Sequence, residues 1–572
     1  MPSLGIHLLV ADATFSRLPN STVNDVKSLA PIAKYFPEMA SLGAIGPDLL
    51  YYLGDGPKIS AVVADVFHYL NQISSVLKDI GNLAQQGGMP NVANRINQLS
   101  ETVRLAVGTA QSGLLAAVVQ LNEVITGSHL FKPSAAQLEK PETDWNWGDL
   151  LHDRISGTFA NKLMDTARSA ANYPLLAYST GYMTHLATDF VGHGYVNTVV
   201  GGPARGWIMR HTVSEKFMDA SVFQRRNQDI NTSKLHGRFS SLADTSQLAN
   251  LCDVLAGLIA GFAQDSSLGY QLPGACSSKE LKTAFDSMCS LFRLVTEDAY
   301  VPPPQPPQIA IPPLPGQYGS LTHAVTGIPG PGRPSTITDW LKFLLALLLL
   351  VPAVLVDMAR FVTDAALGVI TYPLAAAVYV FQCYVYNIYR QVRWFLVISG
   401  VLFPCVDELD NPLALQFTSS RGNGDENYPH VPPVVDTWTE RLGAVTFSAN
   451  NFAYLNYPKT KRELPGARPS PYPSGTTPEL FMHDLDRDDQ FVATWLVKNT
   501  PVEIRTLVST IPPLHAPYKG GFGNATDLSI LLLERPDIAA KLNLDSDRGY
   551  AYRQWRCDGG ITAGSLVNER FI

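Results

Sequence analysis

The stretch Tyr182-Met-Thr-His185-Leu-Ala-Thr-Asp189-Phe-Val-Gly-His193 decides how this chain reads. His185, Asp189 and His193 stand at i, i+4 and i+8. Four residues of α-helix turn about 400°, so the three side chains stack on one face with a slow drift. Around them, apolar residues recur at helical spacing from Leu175 to Phe190. The pattern predicts an apolar helix that carries imidazole and carboxylate along one stripe. Buried unpaired charges are costly, and a divalent cation is an effective way to hold several of them together.

Working outward, His211-Thr-Val-Ser-Glu215 repeats the i, i+4 pairing eighteen residues after His193. Two helices that each present His and carboxylate on one stripe are how helical bundles build metal sites in their cores. Gly43-Ala-Ile-Gly-Pro-Asp48 places a carboxylate just after a Gly-Pro turn, and Val66-Phe-His68-Tyr69 puts a histidine on the following helix. Taken alone, Asp48 reads equally as a helix cap and His68 as a packed histidine. His7 adds an early imidazole. Histidine nitrogen with carboxylate oxygen and no thiolate suits zinc first, ahead of manganese or iron.

The rest of the chain bounds the answer. With 572 residues it is too long for one hydrophobic core. Its 43 basic and 50 acidic residues give a net charge of −7, which excludes binding nucleic acid through bulk positive charge. Only 16% of residues are charged, against about 25% in an average soluble domain, so solvated surface is short. Six cysteines without a CxxC exclude a disulfide scaffold and a Cys-ligated zinc ribbon. The opening Met1-Pro-Ser-Leu-Gly-Ile-His7 has no basic n-region, so no secretory signal is read, and a cytoplasmic location or a non-classical export route is expected.

The fold class expected is mainly α. Residues 1–300 read as an all-α domain. Residues 301–339 form a linker or strap, with 11 prolines between Pro302 and Pro334. Residues 340–405 read as an apolar helical hairpin. There the 25 residues Ala365–Tyr389 are uncharged, and Tyr384, Tyr386, Tyr389, Arg390, Arg393 and Trp394 look like an interfacial belt. That segment is expected to meet a membrane or to form a subunit interface in a homo-oligomer. Residues 406–572 read as a small α+β region.

Taken together, His7, the Gly-Pro-Asp48 turn, His68, the H-x-x-x-D-x-x-x-H helix and the closing H-x-x-x-E resemble the zinc-dependent phospholipase C family. The resemblance extends to the phospholipase C/D-type domain of the phosphatidylinositol-glycan-specific phospholipase D, and it covers roughly residues 1–220. It implies two to three zinc ions. One would sit among Asp48, His68, His185 and Asp189, a second among His193, His211 and Glu215, and a third on His7 with Asp189 as a bridge. It also implies Asp48 as the carboxylate that orients or deprotonates the attacking water. Three residues separate Asp189 from His193, where the secreted bacterial members have five, which resembles the C/D-type branch. Trp145, Trp147 and Arg205 are candidates for the substrate pocket.

The activity implied is a phosphodiesterase acting on phospholipids by a zinc-activated water, most simply a phospholipase C leaving diacylglycerol, at a membrane surface. Phospholipase D specificity, a zinc nuclease or nucleotidase, and a membrane-associated interaction or effector protein with a structural metal domain are the competing readings. No GxSxG, GxxxxGK[ST] or strand-linked GxGxxG offers another chemistry.

Overall fold

The computed structural model describes residues 4–53, 64, 142–153, 155–200, 204–265, 272–321, 357, 360–362, 364–365, 367–369, 371–398, 400–408 and 523–539. Its helices are α1 (Leu4–Arg17), α2 (Asn24–Lys27), α3 (Leu29–Tyr35), α4 (Pro37–Gly43), α5 (Trp147–Asp153), α6 (Ser156–Ser169), α7 (Tyr173–Val200), α8 (Ala204–Arg225), α9 (Ser246–Ala263), α10 (Ser278–Arg293), α11 (Leu374–Ile398), α12 (Gly523–Glu534) and α13 (Pro536–Ala539). No strand occurs among the described residues, in keeping with the expected α class. The chain is grouped into two compact units that interleave in sequence. One holds 1–57, 128–297 and 399–572, the other 58–127 and 298–398.

Helix α7 organises the first unit. It starts where Asn172 Oδ1 accepts the Leu175 amide at 3.1 Å, with Pro174 in the first turn, and its last residue precedes Gly201-Gly-Pro203. A helix apolar on every side belongs in an interior. Helices α1, α3, α4, α6, α8 and α12 all pack on it. Its buried hydroxyls are satisfied within the helix: Ser179 donates to Leu175 O, Thr180 to Leu176 O and Thr188 to Thr184 O, at 2.7–2.8 Å. Glycine sets how close α4 comes. A Cβ on Gly43 would lie 2.0 Å from Tyr178 O, and one on Gly181 2.1 Å from Ala40 O, so backbone meets backbone at this crossing.

The described part of 406–572 is helical. Helix α12 packs on α7 and α1, and Ser21 Oγ donates to Glu534 Oε1 at 2.5 Å. The α+β content expected there lies outside the described residues.

In the second unit the proline-rich run is held by tyrosines. Tyr389 donates to Ala299 O at 2.6 Å and accepts the Val301 amide at 3.1 Å, and Tyr372 donates to Pro312 O at 2.9 Å. Proline leaves its carbonyl as the only backbone hydrogen-bonding group, and the Tyr372 hydroxyl uses the one on Pro312, while Tyr389 ties the residues just before the prolines. Pro373, which the sequence places inside an apolar run, immediately precedes α11, where its missing N–H costs nothing. Tyr384, Tyr389, Arg393 and Trp394 are buried. Among the described residues of this unit, the large apolar side chains left open are Ile309, Ile311, Leu367 and Val369, the last 65% exposed. Among the described residues one helix, α9, is long and apolar enough to cross a membrane; it carries Asp253 and buries Leu248, Leu251, Leu255 and Ile259.

Candidate metal centre

Four helices and one turn bring the chemistry together in the first unit. Helix α4 ends at Gly43, and the chain turns through Gly46 into a 3₁₀ turn that opens with Asp48. The α4–α7 crossing then sets this turn beside His185 and Asp189 of α7. Helix α1 brings His7 from a second direction and α5 brings His152 from a third. All five side chains are buried.

Asp189 is the hub. Its Oδ1 lies 3.2 Å from His7 Nε2, and its Oδ2 lies 3.0 Å from His185 Nε2 and 3.3 Å from His152 Nε2. Asp48 Oδ1 is 3.4 Å from His152 Nε2. The His7 and His185 rings stack with centroids 4.0 Å apart and planes 5° from parallel. Two triads, His7–His185–Asp189 and Asp48–His152–His185, each place their donor atoms within 4.8 Å of one another.

The outward nitrogens explain the ring orientations. His185 Nδ1 donates to Ala44 O at 3.0 Å, and His152 Nδ1 donates to Gly148 O at 2.6 Å. A backbone carbonyl fixes each Nδ1 as the protonated nitrogen and turns each Nε2 inward as a lone pair, the arrangement that orients metal-ligating histidines. The two Nε2 atoms then face each other at 3.1 Å. A proton on His185 Nε2, which the neighbouring carboxylates favour, or a bound cation reconciles that approach. Zinc, which takes imidazole nitrogen and carboxylate oxygen, fits this donor set.

The electrostatics agree. Burial holds His7 down to about 4, helped by the charge on His185. For His185 burial pulls down, but the Asp189 and Asp48 carboxylates outweigh it and raise the pKa. Asp48 and Asp189 are pushed up by burial and pulled further down by His185, so both stay ionised. On α8, His211 Nε2 and Glu215 Oε1 are 2.7 Å apart; burial drives His211 well below and Glu215 well above their ordinary values. Both shifts favour the neutral form of each partner.

His68, which the resemblance places in the first ion's shell, lies outside the described residues; among the described residues an imidazole beside Asp48 is that of His152. Reading the sequence missed His152, although it stands four residues after Gly148 in the Trp-rich segment already chosen for the pocket. His193 lies on α7 and Arg205 in the first turn of α8. Trp145 and Trp147 are buried, and Trp147 Nε1 donates to Gly274 O at 2.8 Å. Asp48 opens its 3₁₀ turn without capping it through its side chain.

Residues 130–261 match the family model described as zinc dependent phospholipase C. The chain carries a zinc-dependent phospholipase C domain. The match takes in His152, His185, Asp189, His193, His211 and Glu215, while His7 and Asp48 precede it. The domain is therefore of a zinc-dependent phosphodiester hydrolase type. No curated protein and no solved structure matches the chain.

Proposed function

We propose that the protein is a phospholipase C, hydrolysing the phosphodiester of a phospholipid to a phosphorylated head group and diacylglycerol. The observation that carries this reading is the convergence of His7, Asp48, His152, His185 and Asp189 on one buried cluster, of which His152, His185 and Asp189 lie inside the segment that matches this family. His7, His185 and Asp189 would hold one ion, Asp48, His152 and His185 another, and His211 with Glu215 a further one. Zinc, when bound, supplies Lewis acidity towards the phosphodiester and lowers the pKa of a bound water.

The chain's own groups do the rest. Asp48 is kept ionised by His185, so its Oδ1 can take the proton of the attacking water at neutral pH. The Ala44 and Gly148 carbonyls fix His185 and His152, so the inward nitrogens need no reorganisation during the reaction. No Ser or Cys nucleophile is required.

A phospholipid substrate is supported by the low charge of the chain and by its exposed apolar side chains. Ile309 and Ile311 on the strap and Leu367 and Val369 on the turn before α11 belong to segments tied by the Tyr372–Pro312 hydrogen bond. We assign to them the contact with a lipid surface. The test is product analysis on phosphatidylcholine vesicles with and without chelator. Diacylglycerol formed only with metal supports the proposal. Phosphatidic acid would assign D specificity, and no lipid hydrolysis under any metal loading would overturn it.

A further inference from the structure

Helix α8 extends its stripe by one more carboxylate. His211, Glu215 and Asp219 stand at i, i+4 and i+8, and Asp219 is fully buried. Its carboxylate meets the start of α1. Its Oδ2 accepts the Gly5 amide at 2.7 Å and its Oδ1 the Ile6 amide at 3.2 Å. The first amides of any helix have no partner within the helix, and a carboxylate there is favoured by the helix dipole. Here the cap comes from another helix, 213 residues away along the chain.

The packing around this contact leaves no slack. A Cβ on Gly5 would lie 2.7 Å from Phe223 Cε2, 2.8 Å from Asp219 Oδ2 and 3.0 Å from Ile230 Cδ1. Any side chain at position 5 therefore has to displace the Asp219 carboxylate, the Phe223 ring or Ile230, and so disturbs the contact that holds α1 to α8. His7 follows directly, with Nε2 at 3.2 Å from Asp189 Oδ1 and its ring flat on His185. A helix is stiff over one turn, so the position of the Gly5 and Ile6 amides sets the position of His7.

We propose that Asp219, acting with Gly5, is a positioning residue: it locks the first turn of α1 to α8 and thereby seats His7 in the metal cluster. Asp219 does not touch the ions or the substrate. The same helix thus carries two functions, with His211 and Glu215 facing the metal centre and Asp219 locating a ligand that arrives on α1. This rests on the metal-centre reading for its consequence, but not for its geometry.

The experiment compares wild type with Asp219→Asn, Asp219→Ala and Gly5→Ala in the full chain. The first readout needs no metal: modification of His7 by diethyl pyrocarbonate in chelated protein, followed by mass spectrometry, with hydrogen exchange of the Gly5 and Ile6 amides. Asp219→Ala and Gly5→Ala should raise His7 reactivity at least tenfold and expose both amides. Asn, which offers one acceptor oxygen in place of two, should fall between. The second readout is zinc affinity by chelator competition, where one equivalent should weaken by about 10–100-fold while the others hold. Circular dichroism and melting identify variants that fail to fold, and the nearly isosteric Asn variant then carries the test. Unchanged His7 reactivity and amide exchange in folded variants would overturn the proposal, as would equal weakening of every zinc equivalent. If wild type bound no zinc, the metal-centre reading would fail, and the reactivity and exchange data would still decide the role of Asp219.

Discussion

Gly181→Ala tests whether the α4–α7 crossing builds the site. In an open helix, replacing glycine by alanine stabilises by about 0.8–1 kcal/mol. At position 181 the new Cβ would lie 2.1 Å from Ala40 O and 2.7 Å from the Ala44 nitrogen, and real Cβ contacts essentially never fall under 3.0 Å. Both neighbours are backbone, so relief requires α7 and α4 to part by about 1 Å. Overpacking of this kind costs about 1–3 kcal/mol, which outweighs the gain in propensity, so the sign of the change reverses. His185 lies one helical turn further on and holds Ala44 O at 3.0 Å. Opening the crossing stretches that bond to about 4 Å and releases the ring, which should weaken zinc binding by about 10–100-fold. Urea denaturation of metal-free protein and chelator competition on the loaded protein measure the two effects separately. A Gly181→Ala protein as stable as wild type or more so, with unchanged zinc affinity, would refute the reasoning.

His152→Ala should lose bound zinc and hydrolysis together, and elemental analysis beside an activity assay checks it; full zinc content would remove His152 from the site. Metal-free protein should lose stability as pH falls from 6.5 towards 4. Over that range the unfolded chain protonates His7 and His211 while the fold keeps both neutral, and buried protonated Glu215 offsets one of the two, leaving a net uptake of about one proton and a slope of about 1.4 kcal/mol per pH unit. His185 and the two ionised aspartates change stability outside this window, above 6.5 and below 3.8 respectively, so a urea midpoint that stays flat between pH 6.5 and 4 would contradict these assignments. Leu367→Ser with Val369→Ser should weaken vesicle binding by about 10²-fold, from about 3 kcal/mol of lost apolar transfer, while sparing a short-chain soluble phosphodiester. Sedimentation with vesicles measures the first and a soluble-substrate assay the second; equal loss on both would assign these residues to folding.

The helical class and the α7 stripe were legible because an i, i+4, i+8 spacing fixes a face whatever surrounds the helix. The His211–Glu215 pair was legible for the same reason, whereas Asp189 as a shared carboxylate came from the family resemblance. His152 was not, because its partners lie on other helices and its own helix, Trp147–Asp153, is too short to show a period. The role proposed for Asp219 was hidden too, since an acidic residue on a helix of mixed polarity reads as solvated surface until the Gly5 amide is seen 2.7 Å away. The aromatic run near Trp394 read as a membrane belt from composition alone, while Tyr389 uses its hydroxyl to tie the strap at Ala299 and Val301.

The most direct test of the metal centre is zinc per chain in wild-type protein, by elemental analysis after dialysis against metal-free buffer. The arrangement of His7, Asp48, His152, His185 and Asp189, with His211 and Glu215 beside it, predicts about two to three tightly held ions. A value below about one per chain, in protein that remains folded and has been offered zinc, would contradict it.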